Sequence, residues 1–227
     1  KPKGSFAAHE SDSDEYVSSE EEATAKKKKS KGTLTEDGTT LDDEPLDMEG
    51  MPWKNPLRGW TNTPTKKTIV KGTKIIMRVP ERTDCWRKTQ HKGIVDNAPF
   101  HWQKVTGDFK ATVKVSGSFA DTYHKGGIMV RFDKANWILT GMECVNGRVH
   151  HSTSKTIDHT DWSLTPLPHN AEKAGIWFCF KRVGNTYECF YSLDHIKWNL
   201  TRRGTFTERP VLYVGLCGAN PLRGDFK

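Results

Sequence analysis

The chain has 227 residues, of which 34% are hydrophobic, and its 35 Lys and Arg outnumber its 28 Asp and Glu to give a net charge of +7. Such a length fits one large β domain or two small ones, and the low apolar fraction leaves part of the chain without a place in any core. No apolar run approaches the roughly 18 residues of a membrane-spanning helix, and no signal-peptide core is visible.

Residues 1–50 carry seven Lys against fourteen Asp and Glu, a net of −7, whereas residues 51–227 carry the other twenty-eight Lys and Arg against fourteen acids, a net of +14. The first segment holds Ser11-Asp12-Ser13-Asp14-Glu15, Ser18-Ser19-Glu20-Glu21-Glu22 and then Lys26-Lys27-Lys28-Lys29-Ser30-Lys31, with almost no large apolar residue. It is expected to be a disordered acidic/basic arm, because it cannot bury enough surface to offset about 1–2 kcal/mol of backbone entropy per residue. A phosphorylatable acidic cluster and an import or anion-binding lysine tract are the functional readings of that arm, and a solubilising tail is the plainer one. An ordered arm would need a partner to hold it, which points to a subunit of a larger assembly.

From Met51 onward the pattern changes to tryptophans and period-2 alternation. Ile75, Met77 and Val79 alternate with Lys74, Ile76 and Arg78; Phe109, Ala111, Val113 and Val115 alternate with Lys110, Thr112 and Lys114; Ile128, Val130 and Phe132 continue the scheme. Each predicts a strand with one wet face. Residues 176–182 and 186–191 predict a hairpin across Gly184-Asn185, in which 179 faces 190 and 180 faces 189. The near-continuous apolar run 211–217 predicts a central strand. With about ten to twelve short strands and no sustained helical period, residues 51–227 are expected to form one β-sandwich. The chain starts at Lys1 and stops at Gly224-Asp225-Phe226-Lys227, where a further strand is expected to begin, so the expectation is a domain cut short at its last strand.

Five cysteines without Cys-x-x-Cys spacing predict reduced thiols and an intracellular setting, cytoplasmic or nuclear, or an organelle after removal of a targeting segment. In the predicted hairpin Cys179 and Cys189 point to opposite faces.

Several motifs occur in a fixed order: Trp53-Lys54-Asn55-Pro56, Asp84-Cys85-Trp86-Arg87-Lys88-Thr89, Gly107-Asp108-Phe109, Gly126-Gly127 leading Met129-Val130-Arg131, Trp137, Gly141-Met142-Glu143 and Asp161-Trp162-Ser163. Tyr191-Ser192 with Asp194 and Trp198, then Val214-Gly215-Leu216 and Asn220-Pro221, complete the set. Together they resemble the regulation-of-enolase family, a domain of unknown function. The resemblance spans about residues 53–224. It implies an all-β, concanavalin A-like, two-sheet antiparallel sandwich of jelly-roll type, and a regulatory action on a glycolytic enzyme. The chain departs from the family pattern at three places. His124-Lys125-Gly126-Gly127 stands where the family has Asp-Gln-Ala-Gly, Leu139 where it has Lys, and Asp194-His195 where it has Asp-Gly. A small-ligand pocket built on those polar groups is expected to be lost.

Glycoside hydrolysis needs two carboxyls about 5–9.5 Å apart. The sequence offers only Glu143 on a strand and Asp161 in a separate stretch, so no glycosidase is expected, and Glu143 is expected to pair with Arg131 or Arg148. His150, His151, Asp158, His159 and Asp161 cluster, but adjacent histidines on a strand face opposite ways, so no metal site and no cofactor are expected. No Gly-x-Ser-x-Gly elbow is present.

The leading expectation is therefore a non-catalytic binding or scaffold protein, a subunit of a larger assembly, whose basic sandwich docks an anionic protein or ribonucleoprotein surface, with an acidic surface or RNA as the partner. The candidate partner face is His124, Lys125, Arg131, Trp137, Glu143, Asp161 and Trp162, and the candidate exposed aromatic and basic residues are Trp86, Arg87, Trp102, Lys104, Arg202 and Arg203. The alternative is a lectin-like carbohydrate binder in which Trp102, Trp137 or Trp162 stacks on a sugar.

Overall fold

The computed structural model describes residue 57 and residues 59–64, 69–71 and 74–222. The arm expected over 1–50, the motif 53–56 and the terminal 224–227 lie outside the described residues. The strands, numbered in chain order, are Gly59–Thr61 (β1), Ile69–Lys71 (β2), Lys74–Ile76 (β3), Cys85–Arg87 (β4), Ile94–Asp96 (β5), Phe100–Thr106 (β6), Phe109–Val115 (β7) and Lys125–Arg131 (β8). They continue with Asn136–Val145 (β9), Arg148–Ile157 (β10), His159–Pro166 (β11), Ile176–Val183 (β12), Thr186–Ser192 (β13), Asn199–Thr205 (β14) and Val211–Ala219 (β15), with one short helix, Ala171–Ala174 (α1). The described residues hold more strands than the ten to twelve expected, because β1 to β5 have three residues each and are too short to show alternation.

Two antiparallel sheets form a sandwich. The larger has the order β1-β6-β15-β8-β9-β10-β11, the smaller β14-β13-β12-β7, and β2-β3 and β4-β5 are separate hairpins. Apolar faces set this arrangement. Phe109, Ala111, Val113 and Val115 of β7 turn inward with Phe178 and Phe180 of β12 and Tyr187 and Cys189 of β13, against Ile128, Val130, Ile138, Met142, Leu212 and Val214 of the larger sheet. The predicted hairpin register is the one found, with Cys179 opposite Phe190 and Phe180 opposite Cys189. Cys179 and Cys189 are free and buried, as are the other three cysteines. As expected, β15 lies inside its sheet, between β6 and β8.

A second apolar cluster lies on the outer face of the larger sheet: Phe100, Met129, Trp137, Leu139, Cys217 and Ala219 pack with Cys85 and Ala98. The middle of the larger sheet is thus covered on both sides, which is why residues 137–144 of β9 are buried without alternation. Its two middle strands approach closely at Gly127, which pairs with Gly141. A Cβ on Gly127 would stand 2.1 Å from the Thr140 carbonyl oxygen, and one on Gly141 2.3 Å from that of Gly126. No side chain fits at either place, which accounts for the second glycine of Gly126-Gly127 and for the glycine of Gly-x-Glu, whereas a Cβ on Gly126 would meet its nearest neighbour, Phe119, at 3.7 Å.

His150 and His151 point to opposite faces, as strand geometry requires. His151 is buried between the sheets, with Nε2 2.8 Å from Thr140 Oγ1 and its ring 5.0 Å from that of Phe178. The turn Asp194-His195 puts a non-glycine residue at φ 68°, a strain of order 1 kcal/mol. His195 offsets it by stacking on Trp177 at 3.9 Å and 19°. No described helix is long and apolar enough to cross a membrane.

Burial pulls the His151 pKa down to about 3, below its unfolded value of about 6.5. The folded state therefore excludes a proton that the unfolded state takes up. This contribution to stability is complete above about pH 6.5 and falls on acidification toward pH 3, by up to about 1.4 kcal/mol per pH unit. Urea unfolding across that range should show the loss, and His151→Gln should flatten the profile relative to the native chain.

Candidate functional site

Within the sandwich, the chemistry collects on the outer face of the larger sheet, where the β4–β5 hairpin lies along β8. Asp84, just before β4, places Oδ1 2.6 Å from Lys125 Nζ at the start of β8. Asp96, at the end of β5, accepts two hydrogen bonds from the Arg131 guanidinium at the end of β8, at 3.0 and 3.2 Å. All four side chains are largely removed from water. Burial alone would lower the Lys125 pKa, but the charges of Asp84 and Glu143 and the Asp84 hydrogen bond outweigh it and hold the ammonium above its ordinary value.

The hairpin tip is fixed to the far end of the sheet. Trp86 Nε1–H donates to the Thr89 carbonyl at 2.8 Å. Arg87 Nη2 and Lys88 Nζ reach the Asp158 carboxylate at 3.1 and 2.7 Å, which holds that carboxyl below its usual range, the Lys88 hydrogen bond first. The Arg87 amide donates to Thr160 Oγ1 at 2.9 Å, and Thr89 Oγ1–H to the Thr160 carbonyl. Thus Asp84, Trp86, Arg87, Lys88 and Thr89 each work as a fastening of the hairpin.

Beyond the hairpin, Glu143 of β9 is cross-strand neighbour to Lys125. Its Oε2 accepts from Ser152 Oγ–H and, at 3.0 Å, from Trp162 Nε1–H. The expected pairing of Glu143 with Arg131 or Arg148 is therefore corrected. Arg131 stands six residues along β8 from Lys125, roughly 20 Å away at strand rise, and is engaged by Asp96; Arg148 is exposed at the β9–β10 turn. Above Glu143, Trp162 meets Trp86 edge to face at 6.1 Å and 82°, and Tyr123 at 6.3 Å and 64°. A cavity of ≈ 10 Å³, lined by Lys125, Leu139, Gly141, Ser152 and Ser154 among others, lies beside them. That is room for about one water and not for a sugar ring.

The expected partner face is thus only partly a surface. Trp137 is 0% exposed beneath the hairpin and cannot stack on a ligand. Lys125 and Arg131 are buried in ion pairs, and His124 is buried with Nε2 3.6 Å from Asp121 Oδ2. Asp161 is exposed, but it takes a hydrogen bond from Arg202, which also reaches Ser163 Oγ at 2.9 Å and the Tyr187 hydroxyl at 3.0 Å. Arg202 is accordingly a strut between the two sheets. Trp102 is half-buried, packed edge-on to Tyr213 at 4.7 Å with Nε1–H donating to Thr61 Oγ1, while Lys104 is exposed 5.8 Å from the Tyr213 ring. Arg203 faces water, 2.6 Å from Glu188.

Sequence reasoning did not assign Asp84, Asp96, Tyr123 or Ser152 to this site. Asp84 opened a quoted motif, but nothing local to it names Lys125 as its partner. Among the described residues no group of three or more His, Cys, Asp or Glu is placed to hold a metal ion.

A family model described as "Protein of unknown function (DUF1349)" matches residues 60–227. Regulation of enolase protein 1 of Saccharomyces cerevisiae is 30% identical over 168 residues, which cover 74% of this chain and 83% of that protein. A crystal structure of a functionally unknown Saccharomyces cerevisiae protein superposes with a TM-score of 0.70 at 28% identity, over 74% of this chain and 89% of its own. A xylan β-1,4-xylosidase from Bacillus halodurans C-125 superposes at 0.54 with 12% identity, over 86% of this chain and 44% of the enzyme, which is a likeness of fold.

Removing one member of a buried pair strands its partner. Arg131→Met should cost about 3–5 kcal/mol in urea unfolding, and Arg131→Met combined with Asp96→Leu should recover most of that loss.

Proposed function

The chain belongs to the DUF1349 family of proteins of unknown function, and on that premise we propose that it is a non-catalytic binding protein which docks an anionic macromolecular surface, as a subunit of a larger assembly. The observation that carries this reading is the way its charges are used. Asp84, Asp96, Asp158, Asp161 and Glu188 are each held by a Lys or Arg of the same domain. Lys74, Arg78, Lys92, Lys104, Lys114, Lys134, Arg148, Lys197 and Arg209 are turned to solvent. Against these nine cations Glu81, Asp108, Asp121, Asp133, Asp194 and Glu208 also face solvent, and the remaining positive excess attracts and orients anionic partners over distances of about a Debye length.

The same geometry weighs against catalysis. The carboxyls of the outer face are engaged, Asp84 by Lys125, Asp96 by Arg131 and Glu143 by Ser152 and Trp162. Glycosidic cleavage needs two carboxyls free to flank a sugar.

A second reading, lectin-like carbohydrate binding, draws support from the rim of Trp86, Tyr123 and Trp162, since aromatic faces pack on sugar rings. The name of the Saccharomyces relative adds a third, the regulation of enolase.

Binding of the chain to immobilised polyglutamate, to oligouridylate, to purified enolase and to a glycan array separates these readings. The expected result is polyanion binding whose affinity falls steeply with added salt, beside a flat glycan response. Glycan binding without any salt-dependent polyanion binding would replace the reading with the lectin one.

A further inference from the structure

The outer face of the smaller sheet is built differently from that of the larger one. Strand register sets Lys110, Lys181, Glu188 and Arg203 in one row across β7, β12, β13 and β14, and Lys114 beside Trp177 in another. Four cations thus share the face with one carboxylate, and that carboxylate is shared by Lys181 at 3.6 Å and Arg203 at 2.6 Å. Phe190 and Leu200 form the row between, opposite one another.

The loop from β13 to β14 folds onto this face and is firmly built. Asp194 Oδ1 accepts from the amides of Ile196 and Lys197, both at 2.8 Å, and from Ser192 Oγ–H at 3.1 Å. His195 stacks on Trp177 and meets Trp198 edge-on at 5.7 Å. Ile196 of this loop is 76% exposed, and Leu193, just after β13, and Leu200 of β14, opposite Phe190, are about half exposed. Scattered apolar residues on a surface need no explanation, but exposed aliphatic residues in and just after a hydrogen-bonded loop, over a face that carries Lys110, Lys114, Lys181 and Arg203, ask for one.

We propose that this face is a docking surface for an acidic peptide segment of a partner protein, one that alternates Asp or Glu with large apolar side chains. The apolar residues of the peptide seat against Ile196 and Leu200, and its carboxylates meet Lys114, Lys181 and Arg203. Charge complementarity selects the acid, and the exposed aliphatic residues select a peptide over a nucleic acid, since Trp177, His195 and Trp198 are already packed against one another. The inference rests on the anion-docking reading above and names its surface and partner.

The test uses the full chain and a fluorescent peptide of about ten residues alternating Asp and Glu with Leu and Phe. Controls are an all-acidic peptide of equal charge and oligouridylate. Fluorescence anisotropy should show the alternating peptide bound at least about tenfold more tightly than either control. Ile196→Ser with Leu200→Ser, and separately Lys114→Glu with Arg203→Glu, should each weaken it by at least about tenfold. All four positions are partly or fully solvent-facing, and thermal unfolding of each variant shows whether it has kept its fold. Peptide binding that both double variants leave unchanged would overturn this surface while sparing the anion-docking reading. A preference for oligouridylate would overturn the peptide. Absence of salt-dependent binding to any of the three probes would overturn both.

Discussion

Two buried ion pairs, Asp84 with Lys125 and Asp96 with Arg131, fix the β4–β5 hairpin across the outer face of the larger sheet. Asp84 and Asp96 flank the hairpin, and Lys125 and Arg131 are the two ends of β8, so the pairs pin the hairpin along one strand in a single register. Each pair repays its desolvation only while both partners remain in place. Under this cover Trp137, Phe100 and Met129 are dry, and the middle of the larger sheet is buried on both faces. The unbroken burial of β9 follows from a face that has been closed.

This closure gives a common sense to the three places where the sequence reading expects a departure from the family pattern. Lys125, in place of an amide-bearing residue, is the group that Asp84 holds and that stands beside Glu143. Leu139, in place of a lysine, joins the apolar cluster below the hairpin. His195, in place of glycine, accepts a left-handed backbone and stacks on Trp177 at the opposite sheet. The first two substitutions favour a sealed face on one side of the sandwich. The third shapes the exposed loop on the other side.

Much of the fold was legible because its rules are local. Alternation gave β7 and the inward set of β8, the Gly184-Asn185 turn gave the β12–β13 register, and the apolar run 211–217 gave an interior strand. The candidate site was far less legible. Trp137 reads as a ligand-stacking residue when one face of β9 is assumed wet, and only a cover made by a distant hairpin shows otherwise. The pairing of Asp84 with Lys125 joins residues forty-one apart in the chain through no periodicity at all. Three-residue strands such as β4 and β5 carry too few positions to show their period. Glu143 was rightly placed on a strand, but its partners come from β10 and β11, whose register no local signal reveals.

Native-state amide hydrogen exchange of the β4 amides against those of β9 tests the closed face most directly. The Arg87 amide is held by Thr160 and the Cys85 amide by Asp84. If the hairpin is an integral cover, β4 will exchange within about tenfold of β9, and both will open together as urea is added. Exchange of β4 several orders of magnitude faster, with β9 still protected, would show a hinged flap and contradict the account.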